Sequence, residues 1–286
     1  MIAAIPTVDP AKLKIHLQRI VGERSPFTNP ARLSKVEQYI EGEFKSFGQA
    51  VEGDPFIYRG RSYRNIVARA GTERSGPLII LGAHYDSVEG SPGAYDNASG
   101  VAVLLEAARV LSRMTLRSPV LFCAFNLEEQ NMVGSAHFAK KLKTLGAKIG
   151  VMVSLEMVGY TDSGSGGQKY PAGLSWFYPD RSDFIGVVGN WRSATVLRRF
   201  AASMRQVKGL PVETLTVLGN GFLVPAVRLS DHSPFWDLGY PALLVTDTSF
   251  FRNPHYHRAS DTIETLDLDF MAKVCQGVIR AVLNLQ

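Results

Sequence analysis

Between residues 10 and 21 the apolar positions Leu13, Ile15, Leu17, Ile20 and Val21 follow a mostly helical spacing. Val36, Tyr39, Ile40, Phe44 and Phe47 repeat it from Pro30 or Leu33 onward, so two helices are predicted before residue 48. Residues 49–58 and 63–70 read as strands, and the turn Tyr58-Arg59-Gly60-Arg61 suits an antiparallel hairpin. After the polar stretch 71–76 the pattern changes. Residues 77–84 are almost all apolar, as in a strand covered on both faces. Strand and helix then recur: helix 97–111, strand 120–125, helix 134–145, strands 149–155 and 184–189, helix 193–205, strand 241–246 and helix 268–283. A further strand is expected at 212–217, followed by the turn 218–221, and 161–176 reads as a surface loop. This alternation predicts an α/β fold, a mostly parallel central mixed sheet with helices on both faces. One domain over residues 1–286 is expected, with the helices of 10–47 laid on the sheet.

In such a sheet the functional residues gather beyond the carboxyl ends of the strands. The polar residues obey that rule: His84 ends one strand, Glu128 and Glu129 follow another, and Glu156 ends a third. Two adjacent acids after a buried strand are costly unless something positive compensates them. Asp86 stands two residues after His84, where an extended chain points both side chains the same way, so it can accept a hydrogen bond from the imidazole and fix its tautomer. Asp96 precedes a strong helical pattern and could be an ordinary N-cap; flanking glycines equally allow it to bridge two ions. With His257 the chain offers His84, Asp96, Glu129, Glu156 and His257 as five ligands from separate segments. Two imidazoles and three carboxylates suit zinc, and also cobalt or manganese.

Composition narrows the alternatives. Of 286 residues 45% are hydrophobic, enough for a sizeable core. The net charge of +5 comes without a basic stripe or an interleaved aromatic platform, which argues against nucleic acid as a partner. Lys140-Lys141-Leu142-Lys143 reads as a solvated helix face. Cys123 and Cys275 read as buried thiols. No apolar run approaches the ~20 residues that span a membrane, and residues 1–6 lack a leader's basic start, so a cytoplasmic monomer is expected.

The motifs Gly82-Ala-His-Tyr-Asp-Ser87, Gly93 to Gly100, Asn126-Leu-Glu-Glu129 with Gly134-Ser135, Leu155-Glu-Met-Val-Gly159, Ser230-Asp-His-Ser-Pro-Phe235 and Tyr256-His257 with Asp261-Thr262 occur in that order. The chain therefore resembles, from about residue 65 onward, the zinc aminopeptidase family of the bacterial leucine-type enzymes, whose fold the glutaminyl cyclases share. The resemblance implies a zinc-exopeptidase-like fold and hydrolysis of the N-terminal peptide bond of a peptide or small amide with a free amine. It implies two zinc ions: His84 and a later carboxylate on the first, Glu129 and His257 on the second, with Asp96 between them. Glu128 would be the general base. Tyr256 would stabilise the tetrahedral intermediate or fill the pocket wall. Asp86 and Asp261 would support the ligands. His232 would lie in the pocket and hydrogen-bond substrate or a neighbouring acid; alternatively Asp231 and Ser233 open a short helix. Glu156 departs from the family's usual aspartate; it could bind metal or read the substrate amine. His16 and His137 are expected on helix surfaces, and His255 in a loop near the site. Phe222, Phe235, Phe250 and Phe251 are candidates for a side-chain pocket. The alternatives are glutaminyl cyclisation with one zinc, hydrolysis of another small amide, and a non-catalytic metal-binding module.

Overall fold

The computed structural model describes residues 7–71, 76–171 and 173–286. The expectation for residues 1–6 and part of that for 71–76 lie outside the described residues. Two helices come first, α1 (Pro10–Ile20) and α2 (Pro30–Ser46). Each begins with a proline that a capping side chain precedes, Asp9 accepting from the Ala11 N–H and Asn29 from the Arg32 N–H. Next comes the hairpin of β1 (Ala50–Tyr58) and β2 (Arg61–Ala70). Its two turn residues, Arg59 and Gly60, both have positive φ, which matches the right-handed twist of the flanking strands.

Then follow β3 (Leu78–His84), α3 (Ser99–Leu111), β4 (Val120–Phe125), α4 (Val133–Thr144) and β5 (Ile149–Glu156). The segment read as a surface loop contains β6 (Asp162–Ser165), which pairs with the two-residue β7 (Arg181–Ser182) in a separate small ribbon. The chain continues through β8 (Ile185–Asn190), α5 (Ala194–Met204), β9 (Val212–Val217), the short α6 (Ser233–Asp237), β10 (Ala242–Thr246) and α7 (Leu268–Leu285).

Eight strands form one mixed sheet in the order β1-β2-β4-β3-β5-β10-β8-β9. The central run β4-β3-β5-β10 is parallel throughout. Strand side chains alternate between two cores. Ile79, Leu81, Phe122, Val153 and Val245 face the side of α1, α2, α3, α5 and α7, while Ile80, Phe125, Met152 and Leu244 face the side of α4 and α6. Among the described residues no long helix covers β8, β9 and β10 on the second face, and the cavity described below opens there. Both cysteines are buried and unpaired. No helix of the described residues is long and apolar enough to cross a membrane.

Candidate active site

The parallel strands deliver their last residues to one edge. β3 ends on His84 and β5 on Glu156. Past β4 the chain reverses at Leu127 (φ 58°) and presents Glu128 and Glu129; past β5 it reverses at Met157 (φ 51°), and His257 itself has φ 58°. Each such non-glycine residue costs on the order of 1 kcal/mol, a strain that the surroundings must hold in place. Asp96 lies in the turn Ala94–Ala98 before α3, beside a cis peptide bond to Asn97. It is not the helix cap; Asn97 takes the local work, its Oδ1 accepting from the Gly100 and Met157 N–H groups.

The five ligand candidates converge. His84 Nε2 lies 3.2 Å from both Asp96 Oδ1 and Glu156 Oε1. His257 Nε2 lies 3.0 Å from Asp96 Oδ2 and 3.6 Å from Glu129 Oε2. The two oxygens of Asp96 thus address different histidines. His84, Asp96 and Glu156 bring ligand atoms within 4.8 Å of one another, as do Asp96, Glu129 and His257. A third group joins His84 to Glu128 and Glu129. Glu129 Oε1 is buried without a hydrogen-bond partner.

The electrostatics show an uncompensated anionic site. Burial pushes the Glu128 and Glu129 carboxyls well above their usual range and raises Glu156, with neighbouring carboxylates adding to all three. His84 is shifted well upward: burial opposes its charge, but Glu156, Glu128, Asp86 and Asp96 outweigh burial. Asp96 is held low, because its contacts with His257 and His84 overcome burial. Two imidazoles facing four buried carboxylates, with one oxygen unpartnered, fit one or two divalent cations.

The supporting residues are partly those anticipated. Asp261 accepts from the N–H groups of Tyr95 (2.7 Å) and Asp96 (3.2 Å) and so fixes the turn. Asp86 does not hydrogen-bond His84: Nδ1 stands 3.5 Å away and unpartnered. Its carboxylate instead accepts from the N–H groups of Glu128 and Glu129 at 3.1 and 3.3 Å, holding the exit from β4. Ser230 donates to Glu156 Oε2 at 2.7 Å.

Tyr256 stacks on His257, ring centroids 3.7 Å apart, and lines a cavity that Glu156 also lines. Phe250 and Phe251 belong to its wall, whereas Phe235 is core and Phe222 is exposed beneath Arg228. His232 departs from the pocket reading and follows the structural alternative, standing just before the short helix α6. It is fully buried, packs edge-on against Trp236, and its Nε2 donates to the Val227 carbonyl at 2.8 Å; among the described residues it meets neither the acidic cluster nor the cavity. Burial pushes its imidazole down to about 3. His16 is likewise not on the surface; it is buried between Tyr39 and Glu106. His137 is partly exposed near Asp54, and His255 sits in a loop against Tyr160 and Ser260.

Two residues of the site were missed. Asp231 is fully buried with neither oxygen hydrogen-bonded. Ser135 lies close enough to lower its pKa slightly but donates to the Met132 carbonyl, and burial pushes the acid up to about 7. Arg24, between α1 and α2, is completely buried. Its guanidinium donates to the carbonyls of Tyr85 (2.7 Å), Pro92 (2.7 Å), Gly93 (2.8 Å) and Asp96 (3.4 Å), tying down the loop that carries Asp86 and Asp96. Gly93 is required there, since a Cβ would stand 2.7 Å from Arg24 Nη1. A motif for Asp231 was visible; nothing in the sequence marks Arg24.

Known proteins resemble this chain in sequence and in fold. The uncharacterized protein YfbL of Escherichia coli is 38% identical over 94% of this chain and 85% of its own. A probable zinc metalloprotease of Pyrenophora tritici-repentis is 30% identical over 73% of this chain but 49% of its own, so this chain spans about half the length of such relatives. Among solved structures, the LapA aminopeptidase of Legionella pneumophila superposes with a TM-score of 0.79, at 22% identity, over 97% of this chain and 72% of that one. A glutaminyl cyclase of Porphyromonas gingivalis reaches 0.71, at 22% identity, over 96% and 98%. Both are likenesses of fold. The family model of Peptidase family M28 matches residues 65–282, the span that carries every ligand candidate. With that match laid over a sheet edge where two histidines and four acids converge, the chain belongs to peptidase family M28.

Proposed function

We propose that this protein is a dinuclear zinc aminopeptidase. The observation that carries the reading is Asp96, whose two oxygens face His84 with Glu156 on one side and His257 with Glu129 on the other. His84, Glu156 and Asp96 would hold one zinc; Asp96, Glu129 and His257 the other. When bound, the pair supplies Lewis acidity toward the scissile carbonyl and makes water acidic near neutral pH.

The chain's own residues do the rest. Glu128 is buried beside both ligand groups and is not needed to complete either, so it takes the proton of the attacking water and returns it to the departing amine. Tyr256 keeps its phenol proton, because burial raises the group, and it faces the same cavity. It therefore donates a hydrogen bond to the developing oxyanion. Asp86 and Asp261 fix the backbones of Glu128, Glu129 and Asp96. The apolar cavity takes the first side chain of a peptide with a free amine.

The test strips the protein with chelator, titrates zinc, and follows an aminoacyl anilide, its N-acetylated counterpart and a glutaminyl substrate. Free-amine hydrolysis that saturates near two zinc equivalents is expected. Cyclisation of the glutaminyl substrate with saturation near one equivalent would replace this reading by a cyclase. Metal uptake without turnover would leave a binding module.

A further inference from the structure

The cavity beside the metal centre has an order imposed by strand pairing. Glu156 of β5 is partnered with Thr246 of β10, Thr246 with Gly186 of β8, and Gly186 with Glu213 of β9. Residues paired across strands project to the same face, and all four line the cavity. Its floor is therefore a row that leaves the metal centre and ends at the sheet edge: carboxylate, hydroxyl, bare backbone, carboxylate. Three strand spacings separate the terminal Cα atoms by about 14 Å. The next row, Leu244, Val188 and Leu215, is apolar and lines the same cavity. Gly186 keeps the row open; a Cβ there would meet only the Thr246 carbonyl, at 3.2 Å.

At the far end Glu213 is half-buried, with no cationic partner among the described residues. Tyr170 and Tyr178 line that end, their rings stacked with centroids 5.8 Å apart. Their hydroxyls are committed to the carbonyls of Pro179 and Thr214, so the rings are held in place. Burial raises both phenols and Glu213 is near enough to add to it, against the opposing charge of Arg252 at Tyr170, a guanidinium committed to the carbonyls of Tyr160 and Phe184. A carboxylate beside aromatic faces is a receptor for a cation, and the apolar row of Leu244, Val188 and Leu215 beside the floor suits a methylene stem that keeps its charge at the tip. An edge-strand glutamate can also serve only to discourage sheet-edge pairing, but Glu213 forms part of the cavity wall.

We propose that this cavity selects substrates whose N-terminal residue is arginine or lysine, the stem crossing Thr246 and Gly186 and the cation resting on Glu213 beside Tyr170 and Tyr178. The proposal rests on the aminopeptidase reading. The experiment compares arginyl, citrullyl and norleucyl anilides on the zinc-loaded protein; citrulline keeps the length of arginine and removes the charge. The expected arginyl-to-citrullyl ratio of kcat/KM is about tenfold or more, carried by KM. Glu213→Gln should bring that ratio close to one and Glu213→Lys below it. Because each ratio is measured on one preparation, partial misfolding of a variant cancels. A ratio near one in the unmodified protein, or one that survives Glu213→Gln, would overturn the proposal. Cleavage of the citrullyl and norleucyl anilides without arginyl preference would sink this inference alone; silence on every free-amine substrate would sink the reading beneath it.

Discussion

Replacing Asp231 by asparagine should stabilise the metal-free protein above neutral pH and do nothing below pH 4. The acid is fully buried and neither oxygen is hydrogen-bonded, and burial raises its pKa from 3.8 to about 7. The sign follows from proton binding. Between the unfolded and folded values the native state holds a proton that the unfolded chain has released, so stability falls as pH rises through that window and levels off above it. About three units at 1.36 kcal/mol each make the full penalty ~4 kcal/mol. Asparagine keeps the shape of the protonated acid and cannot ionise. For a chain of this size ~4 kcal/mol corresponds to a rise in Tm on the order of 10 °C. The assay is a pair of melting series, unmodified protein and Asp231→Asn, chelator-treated, from pH 4 to pH 8.5. The curves should meet near pH 4 and separate toward pH 7, with the variant above. A variant that melts lower at pH 8, or a gap independent of pH, would refute the argument and mean that Asp231 has a compensating partner.

Glu128→Gln should lower kcat by roughly 10²–10⁴-fold, the usual contribution of a general base, while zinc stoichiometry measured by metal analysis stays unchanged. Ser230→Ala removes the hydrogen bond to Glu156 Oε2 and should weaken zinc binding by roughly 10–100-fold, read by competition with a chromophoric chelator. Arg24→Lys keeps the charge but loses the fork that holds the carbonyls of Tyr85, Pro92 and Gly93. The same competition should show a loss of roughly 10–100-fold, and unaltered affinity would mean that the ligand loop holds its own shape.

The sheet and its flanking helices were legible because each element has a strong period and an unambiguous stop. The helix after Asp96 begins at Ser99 rather than residue 97, since Asn97 uses its side chain to bind two backbone N–H groups. The ribbon of β6 and β7 escaped because strands of four and two residues carry no measurable period. His16 should have been found, as it falls within the stripe Leu13, Leu17, Ile20 that is buried on α1. The ligand candidates that converge at the sheet edge could be named in the sequence because metal chemistry restricts residue type. His232 and Asp231 were confused because adjacent residues of similar polarity point in different directions, which sequence does not record. Arg24 was invisible: its partners are backbone carbonyls, which every residue possesses.

The ligand candidates lie at or beyond the ends of β3, β4, β5 and β10, from His84 to His257, and this has a kinetic consequence. The pairing of β3 with β5 already assembles His84, Asp96 and Glu156, but His257 follows β10, so the second ion finds its full set of donors only after β10 has joined the sheet. Binding of that second ion should then leave the refolding rate almost untouched and slow unfolding instead, lengthening the life of the native molecule by mass action on its final state. Loss of that ion would shorten that life without changing how the chain reaches its fold.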